Sequence, residues 1–334
     1  MSTSPSVGSL ATDLAVIGAG PAGLYAAYYG GFRGLRVAVL DSLEEPGGQV
    51  SALYPEKPIY DIAGFPSIRG RDLVQALVRQ AEPFCPQYVL GEQVVDLEHH
   101  GDGMTLRTSA GMTVRCRAVV LTAGIGTFTP RPLPAGEEFL GRGLMYFVPS
   151  LEKLAGQHVL IVGGGDSAFD WALALENLAR SVTLVHRRAA FRAHQHTVDQ
   201  VLRSSVRIVT PAQVRHIRGN GHIEQVDLQH TGGGVETLDV QTVVAALGFT
   251  ADLGPMTGWG LDIQERHIVV DTRMGTGLPG VYAAGDVTEY PGKVRLISVG
   301  FGEAATAVNN AVAWLDPEAD LFPGHSSDVA PLPV

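Results

Sequence analysis

The feature that most constrains the fold is a glycine-rich pattern that occurs twice, each time after a short apolar run. The first copy is Gly18-Ala-Gly20-Pro-Ala-Gly23, and the second is Gly163-Gly-Gly165-Asp-Ser-Ala168. Such a turn between a strand and a helix lets backbone N–H groups and the helix N-terminus hold a pyrophosphate, because glycine has no side chain to obstruct the ligand. The sequence therefore predicts two nucleotide-binding units.

The residues around each motif predict a strand, a helix and a second strand. In the first copy these elements are residues 14–17, 24–29 and 35–40, and Asp41 follows 23 residues after Gly18. In the second copy they are residues 158–162, 169–179 and 181–185, and His186 again lies 23 residues after Gly163. Residues 14–32 are uncharged and long enough to suggest a membrane span, but their glycines and proline favour strand, turn and helix.

Both copies then continue in the same way. Residues 93–116 and 212–238 alternate in polarity around Gly-X-Gly turns, which predicts a β-meander in each half. Apolar strands at residues 118–124 and 243–248 follow the two meanders. Near the end of the chain, residues 280–286 predict a further buried strand that ends at Asp286, and residues 300–314 predict a long helix. The proline-rich end from residue 317 predicts no regular element.

Charge and cysteine content exclude several classes of protein. The 334 residues carry a net charge of −10, which gives no support for general attraction to nucleic acid or to an anionic membrane. The two cysteines, Cys85 and Cys116, form no CxxC motif, zinc knuckle or disulfide framework, which is typical of a reducing compartment. Residues 1–13 lack the basic start and apolar core of a secretion signal. We therefore expect a cytoplasmic location.

The two copies are expected to hold different nucleotides. Asp41 can accept hydrogen bonds from both hydroxyls of an adenosine ribose, but it would repel a 2′-phosphate. After the second copy, His186, Arg187 and Arg188 occupy the corresponding place, and the two guanidinium groups suit a 2′-phosphate, with Arg192 as a further candidate. The second site is predicted to bind NADP(H). The first is then predicted to hold FAD, since the hydride needs an acceptor. The alternative for the arginines is a solvated basic loop.

Other chemistry has weaker support. His194, His196 and Asp199 could form a metal cluster, but no metal-binding motif accompanies them, and we interpret the histidines as phosphate-proximal or surface residues. No GxSxG elbow anchors a Ser-His-Asp triad. No metal is expected.

Several blocks resemble the thioredoxin-reductase-like class of ferredoxin/flavodoxin:NADP+ reductases. They are Gly47-Gly-Gln-Val-Ser-Ala-Leu-Tyr-Pro-Glu-Lys57, Tyr60-Asp-Ile-Ala-Gly-Phe-Pro66, the second glycine motif, His186-Arg-Arg188, Phe191-Arg-Ala-His194, Gly285-Asp286 and Gly300-Phe-Gly-Glu303. The resemblance covers nearly the whole chain. It implies an α/β fold with two Rossmann-like dinucleotide-binding domains of the thioredoxin reductase type, each with a β-meander. It also implies a discontinuous FAD domain (residues 1–125 and 251–334), an inserted NADP domain (residues 126–250) and a homodimer.

The same resemblance implies roles for individual residues. In the FAD site, Gly18, Gly20, Gly23 and Asp41 would contact the cofactor. Gln49 would contact the flavin, and Tyr54 would stack on one flavin face. Val94 would line the adenine pocket, Phe128 would lie beside the cofactor, and Asp286 would bond the ribityl chain. From the tail, His325 would cover the other flavin face and Ser327 would hydrogen-bond near it. In the NADP site they are Gly163, Gly165, Asp166, Ser167, His186, Arg187, Arg188 and Arg192. Asp41 departs from the longer Glu that is common in this class, so its ribose contact could be looser.

The resemblance implies an enzyme in which NADPH gives a hydride to the flavin, which then passes single electrons to ferredoxin or flavodoxin. No side chain is needed as an acid or base on a substrate. A basic docking surface could be formed by Arg33, Arg36, Arg69, Arg71, Lys293 and Arg295, although scattered solubilising charges are an equal interpretation.

Thiol exchange is disfavoured. Residues 141–153 lack the CxxC motif of thioredoxin reductase, and Ala22 stands where similar bacillithiol-disulfide reductases have a cysteine. Two alternatives stay open: an NADPH-dependent flavoenzyme with another acceptor, such as a quinone or a partner's disulfide, and a non-enzymatic redox sensor.

Overall fold

The computed structural model describes residues 8–101 and 103–328. The chain divides into two compact units. The first contains residues Met1–Ala52, Lys57–Thr127 and Ala251–Val334, and the second contains Leu53–Glu56 and Phe128–Thr250. The two main crossing segments are strands, Thr127–Pro130 and Phe249–Asp252, which pair with each other.

A five-stranded parallel sheet forms the centre of the first unit. Its strands, in spatial order, are Val281–Ala283, Ala118–Leu121, Leu14–Ile17, Val37–Asp41 and Gln87–Leu90. The longer helices of this unit are Pro21–Phe32, Gly70–Ala81 and Ile297–Leu315. The three central strands are almost entirely buried, because a parallel sheet is covered on both faces, and this explains their uninterrupted apolar sequences.

A meander accompanies this sheet. Strands Val94–His100, Gly103–Thr108 and Thr113–Cys116 are antiparallel neighbours, and Ser9–Ala11 adds a parallel edge strand. The smaller elements of the unit are helix Gln49–Leu53, the 3-10 turns Glu82–Phe84, Gly254–Gly258 and Ser326–Asp328, and the short strands Pro58–Ile59, Ile68–Arg69, Ile263–Gln264, His267–Val269 and Thr288–Glu289. The turn at Ser326–Asp328 corrects the expectation of no element in the tail. Residues 329–334, which that expectation also covered, lie outside the described chain.

The second unit repeats the plan. Its parallel sheet has the order Leu144–Met145, Thr242–Ala245, His158–Val162, Ser181–Val185 and Arg207–Val209. Its other elements are helices Asp166–Leu175 and Gln195–Arg203, 3-10 turns Glu137–Phe139 and Glu152–Leu154, and the meander Ala212–Arg218, Gln225–His230 and Val235–Asp239. Alternate residues of the central strand enter two separate cores, one containing Leu160 and Val162 and the other Val159 and Ile161.

The helices at the two glycine motifs begin earlier than predicted. They start at Pro21, directly after Gly20, and at Asp166, directly after Gly165, and they end at Phe32 and Leu175. Proline suits the first helical position because its missing N–H would have no helical partner there. The last helix likewise begins three residues early, at Ile297. Within residues 8–101 and 103–328, no helix combines the length and apolar character needed to cross a membrane.

Candidate functional site

The three glycines of the first motif have three different environments. Gly18 has φ +111°, and a Cβ there would lie 2.4 Å from the carbonyl oxygen of Thr122. A Cβ on Gly23 would lie 1.8 Å from the Gly18 carbonyl oxygen. Around Gly20, by contrast, a Cβ would meet no atom within 4 Å. The turn and the packing of the helix on the sheet thus require two glycines, and the third leaves open space at the helix N-terminus, which suits a pyrophosphate.

Asp41 lies beside this motif at the end of strand Val37–Asp41. Its Oδ2 accepts a hydrogen bond from the Ala19 N–H at 2.6 Å, and its Oδ1 accepts one from the Leu43 N–H at 2.9 Å. Burial raises the pKa of the Asp41 carboxyl, while these N–H donors act in the opposite direction. A cavity of about 440 Å³ begins just beyond it, lined by Leu43, Glu44, Glu45, Ser51 and Ala52.

The turn at Gly47 and Gly48 packs on the first motif. Both glycines have positive φ, and the Gly47 N–H donates to the Ala19 carbonyl at 2.8 Å. A Cβ on Gly48 would lie 2.9 Å from the Gly20 Cα. Gln49 follows at the start of its helix, and its Nε2 lies 2.6 Å from where a Gly124 Cβ would be. The structure therefore brings the predicted Gln49 to the same edge of the sheet as the motif.

Asp286 reaches that edge from the far end of the chain. It follows strand Val281–Ala283, and a Cβ on its neighbour Gly285 would lie 3.1 Å from the Cβ of Ala22. Burial raises the pKa of the Asp286 carboxyl, and the nearby charges of Lys293 and Arg295 oppose that rise. The carboxyl ends of parallel strands are the usual place for a ligand in such sheets.

For four further predicted flavin-site residues, the described contacts do not test the predicted role. Val94 is buried in the hydrophobic core. Tyr54 and Phe128 belong to the second unit, where the Phe128 ring lies 6.0 Å from that of Phe249. His325 is exposed, and its ring packs against Phe322 at 5.3 Å. Their flavin contacts stay predictions.

The tail is anchored at the opposite end of the first helix from the glycine motif. Arg33, at the C-terminal end of that helix, donates to the carbonyl oxygens of Asp320 at 2.7 Å and Leu321 at 3.1 Å, and also bonds Asn309. Ser327 lies further along, exposed in the short turn Ser326–Asp328. Its hydrogen bond near the flavin also stays a prediction.

The second motif has the same pattern of one tight and one open glycine. A Cβ on Gly163 would lie 2.5 Å from the Ala246 carbonyl oxygen, whereas one on Gly165 would meet no atom within 4 Å. The ring of His186 covers Gly164, so that a Cβ there would lie 2.4 Å from it. Asp166 and Ser167 form the first turn of the helix. The open space at Gly165 fits a second dinucleotide.

The basic loop is held against this motif by its backbone. The Arg192 N–H donates to the Gly164 carbonyl at 2.7 Å, and the His194 N–H donates to Asp166 Oδ1 at 2.8 Å. The side chains of Arg187, Arg188 and Arg192 are exposed and make no hydrogen bond or ion pair with any described residue. Burial lowers the pKa of His186, and the neighbouring arginine charges lower it further. The loop thus presents three guanidinium groups beside the open glycine.

Sequence reasoning did not single out Thr122. Its hydroxyl donates to the Gly18 carbonyl oxygen at 2.7 Å and therefore fixes the turn of the first motif. The signal that could have found it is a polar residue at the end of an apolar strand, close to a glycine. Glu303 was noted only as part of a resembling block, and its contacts were not foreseen.

One member of the predicted basic docking surface is wrong, and the surface as a whole stays a prediction. Lys293 is 1% exposed and pairs with Glu303, so it cannot meet a partner. Arg33 holds the tail. The other members with described partners each face a nearby carboxylate, in the pairs Arg36–Asp13, Arg69–Asp72 and Arg295–Glu289.

The described residues include neither a cluster suited to binding a metal nor a pair of bonded cysteines. Among residues 8–101 and 103–328, no group of three or more His, Cys, Asp or Glu side chains is arranged to hold a metal, and this includes the region of His194, His196 and Asp199. Both cysteines are free: Cys85 is exposed, and burial raises the pKa of Cys116 to about 12.

The family model of the pyridine nucleotide-disulphide oxidoreductases matches residues 12–311. The chain belongs to this family and is an oxidoreductase. The predicted fold class is confirmed by solved relatives. The thioredoxin reductase of T. acidophilum superposes with a TM-score of 0.73 at 26% identity, covering 92% of this chain and 99% of that one. The thioredoxin reductase of Lactococcus lactis gives 0.72 at 25% identity, covering 91% and 99%.

Closer relatives specify the branch of the family. A ferredoxin-NADP reductase from Salinispora arenicola is 62% identical over 316 residues, which is 95% of this chain and 98% of that protein. Another protein of that name, from Halalkalibacterium halodurans, is 50% identical over 322 residues, covering 95% and 97%. The resemblance found from the motifs is thereby confirmed.

Proposed function

We propose that this protein is a ferredoxin-NADP+ reductase, which transfers electrons between NADP(H) and ferredoxin or flavodoxin. The observation that carries the proposal is the contrast between the two glycine motifs. Each has an open glycine at a helix N-terminus, but Asp41 follows the first and the exposed Arg187 and Arg188 follow the second. An acid favours an unmodified ribose, whereas paired guanidinium groups favour a 2′-phosphate. The first site is therefore assigned to FAD and the second to NADP(H).

The protein's part in the reaction is to bind and orient. Bound FAD supplies the redox chemistry, since it can accept a hydride and release single electrons. Gly20 and the N-terminus of helix Pro21–Phe32 would hold its pyrophosphate, Asp41 its ribose and Asp286 its ribityl chain. Gly165 and the basic loop would hold NADP(H). The names of the relatives support ferredoxin as partner. The family resemblance supports flavodoxin as an alternative and a homodimer, and the cysteine content supports a cytoplasmic location.

The proposal is tested by NADPH-driven reduction of cytochrome c under anaerobic conditions. The FAD-loaded protein is assayed alone and with each ferredoxin and flavodoxin of its own organism. We expect strong stimulation by at least one carrier. Rapid flavin reduction without any carrier effect would instead indicate another acceptor, such as a quinone or a disulfide. Failure of NADPH to reduce the flavin would favour a redox sensor.

A further inference from the structure

Two buried, oppositely charged side chains hold the peptide groups that precede Asp286. Glu303 is 5% exposed, and its Oε2 accepts a hydrogen bond from the Gly285 N–H at 2.7 Å. Lys293 is 1% exposed, and its Nζ donates to the Gly285 carbonyl oxygen at 2.9 Å. The two side chains also pair with each other at 2.5 Å. The N–H and the C=O of one residue are thus both held by a single ion pair, which we call the Gly285 clamp.

Two hydroxyl groups also donate to the clamp and to Gly285. Tyr290 donates its hydroxyl to Glu303 Oε1 at 2.5 Å, and Thr288 donates to the Gly285 carbonyl oxygen at 2.8 Å. Buried ion pairs are often no more stabilising than apolar residues of similar volume, because both charges must be removed from water. General stability therefore does not explain this pair, whereas its contacts with the Gly285 backbone indicate a local role.

Gly285 is also constrained sterically. It has φ +84°, a conformation that favours glycine, and it lies between the first glycine motif and the last helix. A Cβ on Gly285 would be 3.1 Å from the Cβ of Ala22, and a Cβ on Gly300 would be 3.3 Å from the Gly285 Cα. A small displacement of this peptide would therefore move Asp286 relative to the motif that holds the pyrophosphate.

We propose that Lys293 and Glu303 are positioning residues for the cofactor: the Gly285 clamp fixes the backbone from which Asp286 reaches the FAD ribityl chain. This rests on the proposed function. A residue that does not contact the ligand can still affect ligand binding, because it can fix the orientation of a group that does contact the ligand. Loss of the clamp should consequently change FAD affinity and the environment of the bound flavin more than it changes the stability of the protein without FAD.

The test compares three full-length variants with the wild-type protein. Lys293→Met leaves the Glu303 carboxyl buried without its counter-charge, and the double variant Lys293→Met/Glu303→Gln removes both charges while keeping an oxygen that can accept the Gly285 N–H. Arg36→Met is the control, because it breaks an exposed ion pair with Asp13 in the same unit. For each, the FAD dissociation constant of the deflavinated protein, the visible circular dichroism of bound flavin and the melting temperature without FAD are measured.

We expect both clamp variants to weaken FAD binding at least about tenfold and to change the flavin circular dichroism, with the control within about twofold of the wild type. The double variant should recover apo-protein stability relative to Lys293→Met without recovering FAD affinity. If Lys293→Met does not fold, the double variant decides the question. Unchanged FAD affinity and dichroism in the double variant would overturn the clamp's role while leaving the proposed function intact. A wild-type protein that binds no FAD would overturn the proposed function itself.

Discussion

Gly20 and Gly23 lie three residues apart and should respond to alanine in opposite ways. At Gly20 a methyl group meets no protein atom, so Gly20→Ala should keep a melting temperature close to that of the wild type but lose FAD affinity, because the methyl occupies the pyrophosphate position. At Gly23 the methyl would lie 1.8 Å from the Gly18 carbonyl, so Gly23→Ala should destabilise the unit by several kcal/mol. Calorimetry and FAD titration check both. Equal destabilisation by the two substitutions would contradict the assignment.

Arg187 and Arg188 should determine the choice between NADPH and NADH. Each charge-assisted hydrogen bond to the 2′-phosphate contributes about 1.5–3 kcal/mol, so replacing both arginines with alanine should raise the KM for NADPH at least about tenfold. The KM for NADH, which has no such phosphate, should change little. Steady-state kinetics with both nucleotides measure this. Arg203→Ala is a control on the same unit, and equal effects on the two nucleotides would exclude the predicted role.

At the scale of elements, the sequence predicted strands better than helix ends or contacts. Strands 14–17, 158–162 and 181–185 agree with the structure to the residue, because fully buried parallel strands have continuous apolar runs with sharp ends. The start of the first helix was missed because its first turn contains Pro21 and Gly23, which are poor helix formers inside a helix, although proline suits the first helical position.

The contacts that complete the first motif were out of reach for a different reason. Thr122 lies 104 residues from Gly18, whose carbonyl oxygen it bonds, and only strand order brings it there. Glu303 lies 18 residues from Gly285, whose N–H donates to it, and that contact depends on how the last helix packs beside the strand. The motif glycines, Asp41 and Arg187 could be found because their chemistry is local. Lys293 was misinterpreted as a surface charge because the sequence does not reveal that it pairs with the buried carboxylate of Glu303.

The C-terminal tail provides a test of the predicted flavin cover. A chain that ends at Gly324 keeps the anchor between Arg33 and the carbonyl oxygens of Asp320 and Leu321 but removes His325 and Ser327. We expect altered rates of hydride transfer or of electron transfer to the carrier, since these residues would control access to one flavin face. Stopped-flow absorbance measures both rates. A chain that ends at Asp328 is the control, and identical rates in the two truncated chains would eliminate the tail's role.

At the scale of the whole molecule, the two cysteines differ in exposure, and this difference allows a test for thiol chemistry. Cys116 is buried with a pKa of about 12, so almost none of it is thiolate at pH 8, whereas Cys85 is exposed. Iodoacetamide should therefore label one thiol per folded chain, identified as Cys85 by mass spectrometry. Carrier-dependent turnover should persist after labelling. A complete loss of turnover that Cys85→Ser does not reproduce would point to a thiol step at Cys116.

The position of the second unit within the chain affects the order in which the protein can fold during synthesis. The second unit's sheet and meander come from the single stretch Phe128–Thr250, whereas the first unit's sheet needs strand Val281–Ala283 and its first helix packs with Ile297–Leu315. Translation proceeds from the N-terminus, so the ribosome releases every strand of the second unit before the first unit has its edge strand. The first glycine motif is made early, but Gly285 and Asp286 can join it only after strand Val281–Ala283 has left the ribosome. We therefore expect FAD to bind a growing chain only after that strand has emerged.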